Sequence, residues 1–266
     1  MDRVWHLASR VGVRHYIDSP GDTVSTTLSG AAAIIDACTK HGRPLMLAST
    51  SEAYGKGVKL PMHELDDIRF GDTGTTRWVY GMAKALSEQL ALDYHRKHGL
   101  DVRIFRPFNI VGPGQSPESG LIFPSYAQAI IDGTAIKVHG DGSQTRTFCG
   151  VSDLVSGIIR LADAPNAAGK VVNIGSPEEM PVIDVADAFA YEASRQGRPT
   201  PIRMVHYDHV YPEGFEDTMR RVPDLSRARE LIGWDPRMLT PLHALVRWTV
   251  ADAIDRLEGS TGIAAD

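Results

Sequence analysis

The sequence predicts an α/β fold built on a parallel sheet. Short apolar runs alternate along the chain with stretches of helical periodicity. The run PLMLAST (44–50) is apolar throughout its strand-like part, as a strand covered on both faces must be. Three runs, HLAS (6–9), STSEAYG (49–55) and FNIVGPG (108–114), end in polar or glycine-rich turns. Open α/β sheets bind ligands just outside the carboxyl ends of their strands, so these three turns are expected along one ligand edge.

Taken in order, VWHLAS (4–9) reads as a buried first strand. A helical pattern follows over 23–42, with Ala33, Ile34, Ala37 and Cys38 on one face and Gly42 as a C-terminal cap. PLMLAST is the second strand. The polar stretch from Lys56 to Arg77, rich in Gly and Asp, reads as a functional loop or lid. A long helix runs from Trp78 to Lys97 and stops at Gly99, and residues 101–113 form a third strand breaking into a Gly/Pro turn. Beyond it the pattern is mixed. Residues 122–133 look helical, 135–148 a strand and turn, 151–163 a helix, 170–175 a strand and 182–197 a helix. A last helix begins at Asp224, an N-cap residue, and stops near Gly233. The tail after Leu257 is expected to fray.

A chain of 266 residues with 42% hydrophobic and 23% charged residues has room for one large or two small domains. The net charge of -5 and the lack of a basic run argue against a nucleic-acid partner. No apolar run approaches the ~18 residues of a membrane span, and the N-terminus has no signal-like pattern. Cys38 and Cys149 match no metal or redox spacing, which points to small core residues in a reduced, cytoplasmic protein.

The chemistry concentrates in YGMAK (80–84). Tyr80 and Lys84 are four apart on a helix and share a face. An ammonium beside a phenol of pKa ~10 favours the phenolate, which can remove a hydroxyl proton while hydride leaves the same carbon. Alone, the spacing is weak, because a surface helix pair has it too. STSEAYG adds Ser49, Thr50, Ser51 and Glu52 at the end of the preceding strand. Its hydroxyls can hold a sugar hydroxyl, and its carboxylate can act as general acid or base, unless the segment is only a Ser/Thr-rich turn with Glu52 in water. His6, His95, His98, Trp78, Trp234 and Trp248 read as packing or solvated residues.

HLAS, STSEAYG, YGMAK, RPFNIVGPG (106–114), GDGSQTRTFCGVSDL (140–154), NIGSPEE (173–179) and RRVPDLSRARELIGWDP (220–236), in this order, resemble the extended short-chain dehydrogenase/reductases. The likeness is to their nucleotide-sugar epimerases, dehydratases and decarboxylases. It spans essentially the whole chain and implies a Rossmann-like parallel sheet with a smaller mixed α/β substrate domain. Residues 1–109, with 145–175 returning to them, would form the cofactor domain, and 110–144 with 176–266 the substrate domain. The resemblance implies NAD, a nucleotide-sugar substrate and a homodimer formed through the helices around Ala32 and Leu86.

It also implies roles. Tyr80 is the base and Lys84 its partner, holding the nicotinamide ribose; Thr50 orients the sugar 4-hydroxyl; Ser51 and Glu52 assist the step after oxidation. Leu7, Ala8, Ser9 and Ser49 line the cofactor. Asn109 and Arg146 resemble diphosphate contacts, and Arg221 an arginine near the diphosphate or a sugar carboxylate. Asn109 as a turn closer, and Arg146 and Arg221 as surface ion pairs, are the plainer alternatives.

The sequence departs from the family in two places. HLAS matches the family's fourth strand, and the glycine-rich G-x-x-G-x-x-G turn expected upstream is nowhere in the sequence. The readings are a fragment or mis-started chain, a genuine shortened chain that binds dinucleotide poorly, or a pocket kept for another purpose. An exposed strand edge and apolar face are expected in consequence. Thr27 stands where many relatives have asparagine. Thr-Ser-Glu at 50–52 resembles UDP-glucuronate decarboxylases, with 4-epimerases and 4,6-dehydratases as alternatives and a catalytically silent nucleotide-sugar-binding protein as the reading from another class.

Overall fold

In the computed structural model, residues 2–211 and 216–261 are described. Four parallel strands make the main sheet, in the order β1 (Val4–His6), β2 (Leu45–Ala48), β3 (Val102–Pro107) and β8 (Lys170–Ile174). Leu45 and Leu47 of β2 and Val102 and Ile104 of β3 pack towards α2 (Pro20–Lys40) and α3 (Val79–His98). Met46, Phe105 and Val172 pack on the other face, towards α5 (Val151–Asp163) and α7 (Ser226–Ile232). Helices on both faces explain why β2 and β3 are apolar at consecutive positions. A short α1 (Val13–Asp18) precedes α2.

A second core gathers Phe123, Tyr126, Val138, Val185, Phe189 and Val250. It is built by α4 (Ile122–Ile131), α6 (Val182–Arg195), α8 (Leu242–Thr261) and the parallel pair β5 (Ile136–His139) and β10 (Ile202–Val205). Two small ladders join the lobes: β4 (Ile110–Val111) with β7 (Cys149–Gly150), parallel, and β6 (Thr145–Thr147) with β9 (Glu179–Pro181), antiparallel.

Several expectations need correction. β1 is not buried: it is a three-residue edge strand, and Trp5 and Leu7 are exposed. Val11 of the following segment and Val155 and Ile159 of α5 are exposed as well. The buried stripe of α2 is Ala31, Ile35 and Cys38; Ala33 and Ala37 face outward. Residues 225–239 belong to the sheet rather than to the second lobe, because Leu225, Ala228 and Trp234 pack with Phe105 and Leu161. Trp78 and Trp234 are buried, whereas Trp248 is 41% exposed. β10 and α8 had no counterpart in the sequence reading. α8 continues through Leu257 to Thr261, and the rest of the expected fraying lies outside the described residues. No helix among the described residues is long and apolar enough to cross a membrane, and Cys38 and Cys149 are both free and buried.

Candidate active site

β2 ends at Ala48, and the chain turns at once. Thr50 is extended, its hydroxyl accepts the Glu52 amide at 3.2 Å, and Ser51–Tyr54 make one tight turn. That cap directs residues 49–52 along the carboxyl edge of the sheet. α3 lies directly against this turn: a methyl group at Gly81 would overlap the Glu52 carbonyl. The absence of a side chain there lets the helix bring Tyr80 and Lys84 to the hydroxyl cluster.

Tyr80 is buried, and Ser9 and Thr50 are the polar side chains that act on its hydroxyl. Lys84 Nζ lies 6.0 Å from the Tyr80 ring centre and donates to the Ala48 carbonyl at 2.8 Å. Burial lowers the lysine to about 8, against the opposing pull of Glu88. The ammonium does not bring the phenol down, as the spacing alone suggested. Burial and then the Glu52 carboxylate hold Tyr80 above its ordinary value, offset in part by Ser9 and Thr50. In this state the phenol keeps its proton.

Glu52 is not the solvated or free acid–base group the sequence allowed. Arg77 holds both of its oxygens, at 2.5 and 3.1 Å, and Arg221 reaches Oε1 at 2.7 Å. Burial would raise this carboxyl, but Arg221 and Arg77 outweigh it and hold it at about 2. Glu52 is therefore a fixed anion near neutral pH. Arg146 sits beside this group, buried, with NH2 on Asp217 at 2.9 Å and NH1 on the Thr145 carbonyl at 2.8 Å. Neither Arg146 nor Arg221 is a surface ion pair. Three buried guanidiniums thus meet two carboxylates, Glu52 and Asp217, and an excess of positive charge stands next to Thr50 and Tyr80.

The other expected residues divide. Ser9 bonds Thr27 at 3.0 Å, so the threonine at this unusual position is buried and engaged. Leu7 and Ala8 are exposed beside the end of β1. Ser49 is buried and donates inward to Glu88. Ser51 is buried within the turn. Asn109 closes a turn at φ 36°, its amide donating to the Thr147 carbonyl at 2.8 Å, the plainer of its two readings. His95 accepts or donates to the Leu100 carbonyl at 2.8 Å, and no metal-ligand cluster occurs among the described residues.

Sequence reasoning missed Arg77, Asp217 and Tyr16. Tyr16 of α1 stacks parallel on Tyr80, with ring centres 6.0 Å apart. Arg77 stands three before Tyr80 but in the tight turn Thr76–Trp78 ahead of α3, so no helical spacing marks it. Asp217 is 71 residues from Arg146, and nothing local marks it.

The residues present fit the nicotinamide end of a dinucleotide. Lys84 has one acceptor among the described residues, which leaves donor capacity for a ribose, and the exposed chain after β1 borders the same edge. Among the described residues no strand leads through a glycine-rich turn into a helix, so the pyrophosphate end has no cradle on them.

A parallel sheet whose carboxyl edge sets a Tyr-x-x-x-Lys helix against a Ser/Thr turn defines the extended short-chain dehydrogenase/reductase class. Residues 1–175 match the NAD dependent epimerase/dehydratase family, and the chain belongs to that family, whose cofactor is NAD. The UDP-N-acetyl-alpha-D-glucosaminuronate decarboxylase of Bacillus cytotoxicus is 36% identical over 241 residues, covering 89% of this chain and 72% of that protein. UDP-glucuronic acid decarboxylase 3 of Arabidopsis thaliana is 32% identical over 90% of this chain, which spans 66% of its length. Among solved structures, an epimerase from Methanothermobacter thermautotrophicus superposes with a TM-score of 0.86 at 22% identity, over 98% of this chain and 74% of that one.

Proposed function

We propose that this protein decarboxylates a UDP-linked hexuronic acid, such as UDP-glucuronate, through a 4-keto sugar. The observation that carries the reading is the positive excess around Thr50 and Tyr80, where Arg77, Arg146 and Arg221 face only Glu52 and Asp217. The diphosphate of any nucleotide sugar draws on part of this excess; a sugar carboxylate is a second anion it can hold, and guanidinium forks match carboxylates bidentately. The names of the Bacillus and Arabidopsis relatives support the same substrate class.

In this reading Thr50 holds the sugar 4-hydroxyl and Tyr80 takes its proton as the C4 hydrogen leaves as hydride. Bound NAD supplies the hydride acceptor and later the donor. To take that proton Tyr80 must first give up its own to solvent, and the positive charge of Lys84 beside it favours the phenolate that accepts the sugar proton. The C5–C6 bond of the resulting β-keto acid then breaks, carbon dioxide departs, and the electron pair moves into the C4 carbonyl. Arg221 and Arg77 hold the carboxylate in line for that step. A proton returns to C5, hydride returns to C4, and Tyr80 gives its proton back to the oxygen. Ser51 and Glu52 shape the turn that faces C5; Glu52 acts by its fixed charge. Arg146 places the nucleotide side of the substrate. The protein works as a homodimer in a reduced, cytoplasmic setting.

The test is incubation with NAD and UDP-glucuronate. One carbon dioxide per UDP-pentose, with NAD regenerated, is the expected outcome. A 4-epimer or a 4-keto-6-deoxy sugar without carbon dioxide would overturn it in favour of an epimerase or dehydratase. Calorimetric binding of UDP-glucuronate without binding of NAD would point to a silent sugar-nucleotide-binding protein.

A further inference from the structure

On the inner side of α3 lies an ion pair that the chemistry above does not use. Glu88 follows Lys84 by one helical turn, as Lys84 follows Tyr80. Its carboxylate is buried and held from two sides. Arg106 of β3 grips it with Nε at 2.9 Å and NH2 at 2.6 Å, and Ser49 donates to Oε1. Arg106 lies over the Tyr54 ring at 4.4 Å, and Tyr54 donates to Asn173 of β8 at 2.8 Å. The pair is framed by the sheet and by the catalytic turn together. Among the described residues Lys84 makes no ion pair within 4 Å, and its one acceptor is the Ala48 carbonyl.

We propose that Glu88 and Arg106 are positioning residues for Lys84. Arg106 holds the Glu88 carboxylate near enough to favour the charged lysine and too far to bind it, so that the remaining N–H groups of Lys84 stay free for the cofactor ribose. A carboxylate one turn away on a helix is within reach of a lysine. Here both its oxygens are already occupied. The groups that act on Lys84 are Tyr80 and Glu88 from its own helix, His6 from β1 and the Ala48 carbonyl at the end of β2, while Ser49 and Arg106 of β3 reach Glu88. His6 titrates below its ordinary value, through burial and then Lys84, and adds no positive charge near neutral pH. Among the described residues Glu88 is thus the anion that acts on the lysine.

The purpose of the arrangement rests on reading Lys84 as the ribose-holding partner of Tyr80. Its test measures the lysine directly and needs no turnover, so a failure here is distinct from a failure of the decarboxylase reading. Lys84 is one of seven lysines, and its 13Cε resonance, assigned by its loss in Lys84→Arg, reports its titration. In Glu88→Gln the lysine should titrate about 1 unit lower, since an anion is lost and Arg106 is uncovered. In Arg106→Met it should titrate about 1 unit higher, since Glu88 is released onto it. A role confined to stability moves neither value, and shifts of the same sign in the two variants, or none, overturn the proposal. If either variant does not fold, Ser49→Ala decides, since it removes one of the two donors on Glu88 Oε1, leaves more of its charge to act on Lys84 and keeps the ion pair intact. A rise in the Lys84 titration supports the proposal, and no rise overturns it.

Discussion

Two side chains carry the account at the scale of single residues. Tyr80 is the proton carrier of the proposed reaction, and its replacement by Phe removes one hydroxyl from a buried ring. Carbon dioxide release should fall ~10²–10⁴-fold, the usual worth of a positioned acid–base group. Calorimetric binding of UDP-glucuronate should persist, because the arginines that hold the anion are untouched. Glu52 is the fixed anion. Its folded value of about 2 lies below the ordinary ~4.3, so its contribution to stability is complete above about pH 4.5 and disappears as pH falls towards 2. Glu52→Gln should therefore flatten the acid limb of a melting-temperature profile. At pH 7 it should also cost about 3–5 kcal/mol, because Arg77 and Arg221 lose their shared counter-ion while buried. Unchanged melting at both ends would show that the clamp is not formed in solution.

The placement of elements decides whether those residues meet. α3 can reach the Thr50–Glu52 turn only because Gly81 has no side chain. Gly81→Ala should push the helix off the turn at a cost of about 1–3 kcal/mol. It should lower turnover by more than the loss of stability explains, which steady-state kinetics below the melting range will show. At this scale the sequence was informative where a pattern is local. Tyr80 and Lys84 share a helix face by spacing, STSEAYG follows an apolar strand, and Gly99 ends α3 in the left-handed conformation expected of a cap. It was uninformative where contacts are distant. The carboxylate that pairs with Arg146 comes from residue 217, and the arginine pair that fixes Glu52 comes from residues 77 and 221. The stripe on α2 was misplaced because apolar residues run from Ala31 to Ile35 without a polar break, and periodicity cannot choose a face within such a run.

At the scale of the whole molecule, one sheet with helices on both sides and one smaller lobe share a small set of ladders. α8 escaped notice although Thr240 and Pro241 stand just before it as a helix-start signal, and its apolar residues face the second core. β1 was misjudged because an edge strand and a central strand have the same apolar composition. The outer side of α2 and α3 is uncovered, with Leu86 55% exposed, which fits the homodimer proposed for this protein. Leu86→Glu should shift sedimentation towards the monomer while leaving the circular dichroism spectrum unchanged; a profile equal to that of the original protein places the dimer elsewhere. All these scales converge on the sugar ring. The most direct measurement is the product formed in heavy water from UDP-glucuronate deuterated at C4, read by NMR. The account predicts a UDP-pentose that keeps the C4 label, returned by the same hydride, and carries solvent deuterium at C5. Loss of the C4 label to solvent, or a product that retains C6, would contradict it.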